Sequence, residues 1–170
     1  MTRIGLLSDS HSFLDPAVFH HFKEVDEIWH AGDFGDGQIL QQLKAFKPFR
    51  GVWGNIDGPE IRQELPEIAA FTVEAVNVLM IHIGGFPGKY APTAKKALAL
   101  HQPQLFISGH SHILKVIYDD ALKCLHMNPG AAGHQGWHTR RTIIRFVIDG
   151  DKMCNCEVIE LGPRGSLRVT

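Results

Sequence analysis

Two histidines, His110 and His112, come a few residues after a short apolar run at residues 105–107. The run is typical of a buried strand, and the serine and glycine after it favour a turn. Imidazole is the commonest side-chain metal ligand, and two of them at positions i and i+2 past a strand end can reach one concave site. Gly109 lets the backbone turn sharply at this point without a Cβ clash. The pattern predicts a metal site, provided that other parts of the chain supply further ligands.

Three earlier runs with the apolar pattern of strands begin at residues 4, 27 and 49. Each run ends in side chains that can bind a metal, which are, in chain order, Asp9 with His11, then Asp33, then Asn55. Parallel α/β sheets place their sites outside the carboxyl ends of the strands, so these side chains should converge in space. The order of the chain therefore predicts one site built from successive strand–helix units.

One more histidine, His82, follows a strand-like run at residues 77–81, so that the candidate ligands are Asp9, His11, Asp33, Asn55, His82, His110 and His112. Oxygen and imidazole donors without thiolate suit Mn, Fe, Zn or a similar divalent ion. Seven donors are too many for one ion with an open position, and they suit two. A carboxylate is the natural bridge, because it can give one oxygen to each ion. Two such ions can hold a hydroxide between them and clamp a phosphate for in-line displacement.

The composition limits the class of protein. A chain of 170 residues with 44% hydrophobic content is expected to form one globular domain, over residues 1–162, with a tail at 163–170. A net charge of −1 does not indicate the excess of positive charge that is typical of proteins that bind nucleic acid or an anionic membrane surface. Three cysteines without a CxxC pair fit free thiols in a reducing compartment. We expect a cytoplasmic protein, and its oligomeric state stays open.

The remaining sequence predicts the elements that position the ligands. Asp15-Pro16 and Asp36 are placed to begin helices after the first two strands, and a third helix is expected at residues 93–101. The second half of the chain favours hairpins around residues 119–120 and 149–151. Strands alternate with helices early and form hairpins late, which is typical of an α/β protein with mixed sheets.

Five blocks occur in a fixed order, namely Asp9-x-His11, Gly32-Asp33, Gly54-Asn55-x-Asp57, His82 and Gly109-His110-x-His112. In this order they resemble the calcineurin-like metallophosphoesterase superfamily. Its small single-domain bacterial and archaeal phosphodiesterases are similar to this chain over nearly its whole length, including the turn at residues 128–130. The resemblance implies a sandwich of two mixed β-sheets flanked by helices, an αββα arrangement.

The resemblance also implies a division of the ligands between two ions. One ion would be held by Asp9, His11, Asp33 and His112. The other would be held by Asp33, Asn55, His82 and His110. Asp33 would be the bridge, and Asn55 would also orient the phosphoryl group. The implied activity is a dinuclear phosphoesterase, most simply a phosphodiesterase, in which a bridging hydroxide attacks a small phosphate ester; Mn is the expected metal, with Zn, Fe or Ni as alternatives.

Two positions depart from the family pattern. Ile56 stands where many members have a histidine that protonates the leaving group or binds phosphate, so we expect a good leaving group or another proton donor, such as His134 or His138. Ile83 stands where the family usually has glycine after the metal histidine. The general acid is therefore not identified by the sequence.

Other functions stay open at this point. A phosphomonoesterase acting on a nucleotide or sugar phosphate would differ only in the shape of its pocket. A retromer trafficking subunit is similar in fold and works through surface contacts, so a metal-binding scaffold is the alternative to an enzyme. Of the neighbouring residues, His30 is expected behind the metals, Asp57 to orient the Asn55 loop, and Arg140 and Arg141 to be surface charges.

Overall fold

Strands and helices alternate early in the chain and give way to hairpins, as the apolar runs predict. The computed structural model describes residues 1–165, and the end of the predicted tail, 166–170, lies outside the described residues. The elements are β1 (Thr2–Leu7), α1 (Ala17–His21), β2 (Glu27–His30), α2 (Gly37–Phe46), β3 (Phe49–Gly51), α3 (Pro59–Arg62), β4 (Ile68–Val73), β5 (Val76–Ile81), β6 (Gly85–Phe86), β7 (Lys89–Tyr90), α4 (Pro92–His101), β8 (Leu105–Ile107), β9 (Lys115–Asp119), β10 (Cys124–Asn128), β11 (Arg140–Asp149) and β12 (Lys152–Pro163).

Ten of these strands form two five-stranded sheets, and both sheets are mixed. The first has the order β12-β11-β1-β2-β3, in which β1, β2 and β3 are parallel and β11 runs antiparallel to β1. The second has the order β4-β5-β8-β10-β9, in which β5, β8 and β10 are parallel. The short pair β6-β7 forms a separate hairpin. In each sheet, three parallel strands therefore end at the same edge.

The two sheets pack face to face, and helices cover their outer faces. Trp29 and Phe146 of the first sheet and Met80 and Ile107 of the second belong to one buried cluster between the sheets. A second cluster lies between the first sheet and helices α1 and α2, and a third between the second sheet and α4. The predicted αββα sandwich is confirmed. No helix in the described part of the chain is both long and apolar enough to cross a membrane.

The predicted capping residue is confirmed for α2, whereas α1 begins one residue later than the sequence predicts. The side chain of Asp36 accepts a hydrogen bond from the backbone N–H of Gln38 at 2.9 Å, and α2 begins at the next residue after Asp36. Asp15 accepts from the backbone N–H of Ala17 at 2.9 Å, although the capping position of α1 is Pro16. Carboxylates at these positions satisfy backbone donors that have no partner inside the helix.

The prediction of two surface arginines is right for Arg140 and wrong for Arg141. The side chain of Arg141 is only 8% exposed, and it donates to the carboxylate of Asp15 at 2.9 Å. It also donates to the backbone carbonyls of Leu161 and Pro163 at 3.0 and 3.1 Å. Burial opposes ionisation of Asp15, but the Ala17 N–H and the Arg141 guanidinium outweigh it and lower the pKa of that carboxyl. Arg141 thus ties β11 and β12 to the loop that follows β1.

Replacing Arg141 by alanine should lower the free energy of unfolding by about 3 kcal/mol, because it leaves the Asp15 carboxylate without its buried partner. Arg140→Ala is the matched control. Its side chain is 59% exposed and lies 4.0 Å from Glu160, so we expect a change below about 0.5 kcal/mol. Urea denaturation of the two variants measures both values, and an equal loss of stability in both would contradict the assignment.

Candidate metal centre

The seven predicted ligands meet at one end of the sandwich, in loops that follow parallel strands of both sheets. The loops after β1, β2 and β3 carry the ligands up to Asn55, and the loops after β5 and β8 carry His82, His110 and His112. The site therefore lies between the carboxyl ends of the two sheets, where the topology leaves a crevice. The structure brings all the predicted ligands together.

Many of these residues have a left-handed backbone. The φ angles of Asp9, His11, Asp33, His110 and His112 lie between +45° and +69°. In residues other than glycine, this conformation costs about 1–2 kcal/mol each and persists only where surrounding contacts hold it. Here the hydrogen bonds from the N–H of Asp9 to Gly32 O and from the N–H of His11 to Asp33 O, both 3.0 Å, join the first two loops. The strained turns direct the side chains of successive loops toward one another.

The side chains divide into two groups whose candidate ligand atoms each lie within 4.8 Å of one another. The first group is Asp9, His11 and His112. The second group is Asp33, His82 and His110. In the first, His112 Nε2 lies 3.2 Å from Asp9 Oδ1; in the second, His82 Nε2 lies 3.2 Å from Asp33 Oδ2. Asn55 joins the second group, since its Oδ1 lies 3.0 Å from His110 Nδ1.

One oxygen of Asp33 faces both groups. Asp33 Oδ2 lies 3.4 Å from His11 Nε2 and 3.2 Å from His82 Nε2. The other oxygen, Oδ1, accepts a hydrogen bond from the backbone N–H of Ile56 at 3.1 Å. Asp33 is therefore the residue that both groups would share, and it could serve both through Oδ2 while the Ile56 N–H occupies Oδ1.

The electrostatics of the site keep both carboxylates charged. Burial opposes ionisation of Asp9, but the imidazoles of His11 and His112 outweigh it and hold the pKa of that carboxyl well below its usual range. Burial likewise opposes ionisation of Asp33, and the neighbouring His82 imidazole and the Ile56 N–H lower its pKa. These two carboxylates are therefore anionic at neutral pH and favour the binding of cations.

Unsatisfied atoms show that these residues fit a metal centre. Asp9 Oδ1, His11 Nε2 and His82 Nε2 are buried, and within residues 1–165 none of the three has a hydrogen-bond partner. A buried polar atom without a partner costs free energy, so native proteins rarely leave several together. All three belong to the two candidate groups, and carboxylate and imidazole donors suit divalent transition metals. The types of donor atom and the three unpaired atoms among them fit two divalent ions.

The sequence comparisons agree with this geometry. A family model described as the calcineurin-like phosphoesterase superfamily domain matches residues 2–151. The chain belongs to this superfamily. A protein of Methanothermobacter thermautotrophicus named "Probable metallophosphoesterase" is 32% identical over 167 residues, which cover 94% of this chain and 92% of that protein.

Solved structures share the same fold. The structure of an archaeal phosphodiesterase matches with a TM-score of 0.71 and 19% identity, covering 94% of this chain and 99% of that one. Wild-type Vps29 of Entamoeba histolytica in complex with Zn²⁺ matches with a TM-score of 0.72 and 16% identity, covering 93% and 98%. At these identities the likeness shows the fold alone.

Around the ligands of this phosphoesterase domain, a second layer of residues fixes their orientation. Nδ1 of His82 donates to the backbone carbonyl of Ala31 at 2.7 Å, which leaves Nε2 facing the centre. His30 lies behind the centre, as predicted, and is fully buried. Its Nδ1 accepts from the N–H of Gly32 at 3.0 Å, and burial lowers its pKa to about 3, so it stays neutral.

Asp57 ties the second and third ligand loops together. Its Oδ2 accepts from the backbone N–H groups of Asp33 and Gly54 at 2.9 and 2.8 Å, and its Oδ1 accepts from Gly35 at 3.0 Å. Burial raises the pKa of this carboxyl, although the N–H groups of Gly35 and Gly54 oppose the rise. The expectation that Asp57 orients the Asn55 loop is confirmed, and the same side chain also positions Asp33.

At two positions in the ligand loops there is no room for a side chain larger than that of glycine. A Cβ at Gly54 would collide with the carboxylate and backbone of Asp33, and a Cβ at Gly109 would collide with Ser8 and Asp9. Gly109 is not among the residues with positive φ. Its role is therefore close approach between loops and not the sharp turn that the sequence predicts.

Sequence reasoning missed two side chains that support the ligands. The hydroxyl of Ser8 donates to Asp9 Oδ2 at 2.6 Å. The amide of Asn128 donates to Gly109 O at 2.9 Å and to Ser111 Oγ at 3.1 Å, which holds the turn between the two histidines. The signal for Asn128 was present, because it opens the Asn-Pro-Gly turn that resembles the family.

The two loop histidines lie in different surroundings. The His138 ring lies 5.1 Å from the His112 ring, and its Nε2 donates to Gly133 O at 2.9 Å. His134 is exposed, lies 4.2 Å from the Phe13 ring and bonds to the carbonyl of Arg164. Of these two candidates, only His138 therefore borders the metal centre.

Proposed function

We propose that this protein is a phosphodiesterase that depends on two divalent metal ions. The observation that carries the proposal is the pair of ligand groups that meet at Asp33 Oδ2. Asp9, His11, Asp33 and His112 would hold one ion. Asp33, Asn55, His82 and His110 would hold the other. When bound, two such ions supply Lewis acidity and a water-derived nucleophile for attack on phosphorus.

The protein contributes orientation and charge to this reaction. Asp33 stays anionic and rigid, because the Ile56 N–H fixes one oxygen while the other faces both groups. Asn55 is exposed beside His110, where its amide can orient a phosphoryl oxygen. Preorganised donors of this kind act on the transition state at little reorganisation cost.

The leaving group has no side-chain proton donor at position 56. Ile56 is 46% exposed next to the centre, and its side chain carries no proton to donate. We therefore propose that esters with an acidic leaving alcohol are hydrolysed fastest, since such an alcohol departs without protonation.

The test is hydrolysis of bis(p-nitrophenyl) phosphate and of p-nitrophenyl phosphate by chelator-treated protein, with Mn, Zn, Ni or Mg returned singly. We expect no turnover without metal, restoration by Mn, and faster hydrolysis of the diester. Faster hydrolysis of the monoester would favour a phosphomonoesterase. If the protein binds metal but hydrolyses neither ester with any of the metals, the proposal that it is an enzyme is contradicted.

The second candidate function is a metal-binding scaffold, and one feature favours it. The edge strand β9 exposes Val116, Ile117 and Tyr118, which are 42%, 47% and 52% accessible. An exposed apolar edge strand can pair with an extended segment of another chain. The Vps29 neighbours share this fold, but at 16% identity they show nothing about the partner of this chain.

A further inference from the structure

Two cavities flank the candidate metal centre. One of about 420 Å³ opens beside His110 and Ser111, and the other, of about 200 Å³, opens beside Asn55 and His82. Ile83, Ala91 and Pro92 line both cavities. These three residues therefore separate two compartments that both border the second ligand group, one at Asn55 and His82 and the other at His110.

The larger cavity has an apolar lining that the core does not explain. Ile83, Phe86 and Ile113 line it, and they are 43%, 40% and 56% exposed. Large apolar side chains that stay accessible in a concave site next to reactive groups are typical of ligand pockets. We refer to this cavity as the Phe86 pocket.

The charges of the two cavities differ. Lys89 and Lys115 line the Phe86 pocket, and the Lys115 ammonium lies 4.4 Å from the centre of the Phe86 ring. This cation–π contact stabilises the ring in the pocket wall. No carboxylate of residues 1–165 lines the Phe86 pocket, whereas Glu67 lines the smaller cavity. The two lysines therefore favour the approach of an anionic ester from the side of the Phe86 pocket.

Volume separates the two cavities further. Sites for small organic ligands usually measure about 300–1,000 Å³, so the Phe86 pocket falls within this range and the smaller cavity falls below it. A phosphate at the metal centre would have space for a bulky substituent on one side and a small one on the other. A monoester has one substituent and would leave one compartment unused.

We propose that the Phe86 pocket binds the larger ester substituent of an asymmetric phosphodiester, and that this substituent is a flat aromatic or similar apolar group. The smaller cavity takes the second, smaller substituent. This assignment rests on the proposed function, because the phosphate must lie at the metal centre between the two cavities. Phe86 and Ile113, which line only the larger cavity, are then the residues that determine substrate preference.

The assignment is tested by the binding of phenylphosphonate and methylphosphonate, two anions that are not phosphate esters, to the Mn-loaded protein by isothermal titration calorimetry. Burial of the phenyl ring should make phenylphosphonate bind about tenfold more tightly than methylphosphonate. Phe86→Ala and Ile113→Ala should each reduce this ratio at least about threefold, because each removes apolar surface from the pocket. Two variants at separate points of the wall guard against misfolding in one of them.

Leu100→Ala is the matched control, since Leu100 is 77% exposed on α4 and lines neither cavity. It should leave the ratio of the two affinities unchanged. A ratio near one in the wild type, or a preference for phenyl that persists in both pocket variants, would overturn the assignment. Binding is measured without turnover, so a protein that hydrolyses bis(p-nitrophenyl) phosphate and shows no phenyl preference fails only this inference. A protein that prefers phenyl and has no turnover fails only the proposed function.

Discussion

Asp33→Asn is expected to lower the metal-dependent hydrolysis of bis(p-nitrophenyl) phosphate by more than about a hundredfold. Even residues that only support a metal ligand cost about 10–100-fold when replaced, and Asp33 lies between both groups. Asparagine keeps the size of the side chain but loses its negative charge, and its amide nitrogen cannot bind a metal ion. In the wild type, Asp33 Oδ2 lies within 3.4 Å of both His11 Nε2 and His82 Nε2. A neutral side chain at this position would bind an ion in either group more weakly.

His20→Ala is the control for this variant, because His20 is exposed on α1 and removed from the ligand groups. It should keep the activity and metal content of the wild type. The number of Mn ions bound per chain, measured by titration, should be two in the wild type and below two in Asp33→Asn. Equal activity in the wild type and Asp33→Asn would refute the dinuclear scheme.

Asp57→Ala is expected to have the largest effect on stability, a loss of about 4 kcal/mol in the free energy of unfolding. The side chain is 3% exposed and accepts from three backbone N–H groups, those of Asp33, Gly35 and Gly54. Each buried donor left without a partner costs about 1–3 kcal/mol. Because two of these donors hold ligand loops, the variant should also bind Mn more weakly.

Asp57→Asn separates the hydrogen bonds from the charge, since the amide oxygen can still accept while the amide nitrogen cannot. We expect an intermediate loss of stability, and urea denaturation at pH 7 measures the series. Asp120→Ala serves as the matched control, because Asp120 is exposed in the turn between β9 and β10 and its loss should cost less than about 0.5 kcal/mol. A similar small loss in Asp57→Ala would show that the three hydrogen bonds do not hold the ligand loops.

The sequence by itself determined the parts of the fold that depend on local periodicity. Apolar runs and turn residues predicted the strands, and Asp36 predicted the start of α2. The blocks around Asp9, Asp33 and His82 indicated both the superfamily and the set of candidate ligands. These features can be predicted from the sequence, because strand ends, helix caps and the types of candidate ligand depend on residues that are close together in the chain.

Tertiary structure alone decided what depends on residues far apart in the chain. That one oxygen of Asp33 faces both groups follows from a hydrogen bond to Ile56, on a loop after a different strand. The sequence predicted Arg141 to be a surface charge because its partner, Asp15, is 126 positions away in the chain. The two cavities separated by Ile83 arise where loops from both sheets meet, and their volumes depend on packing that no local pattern records.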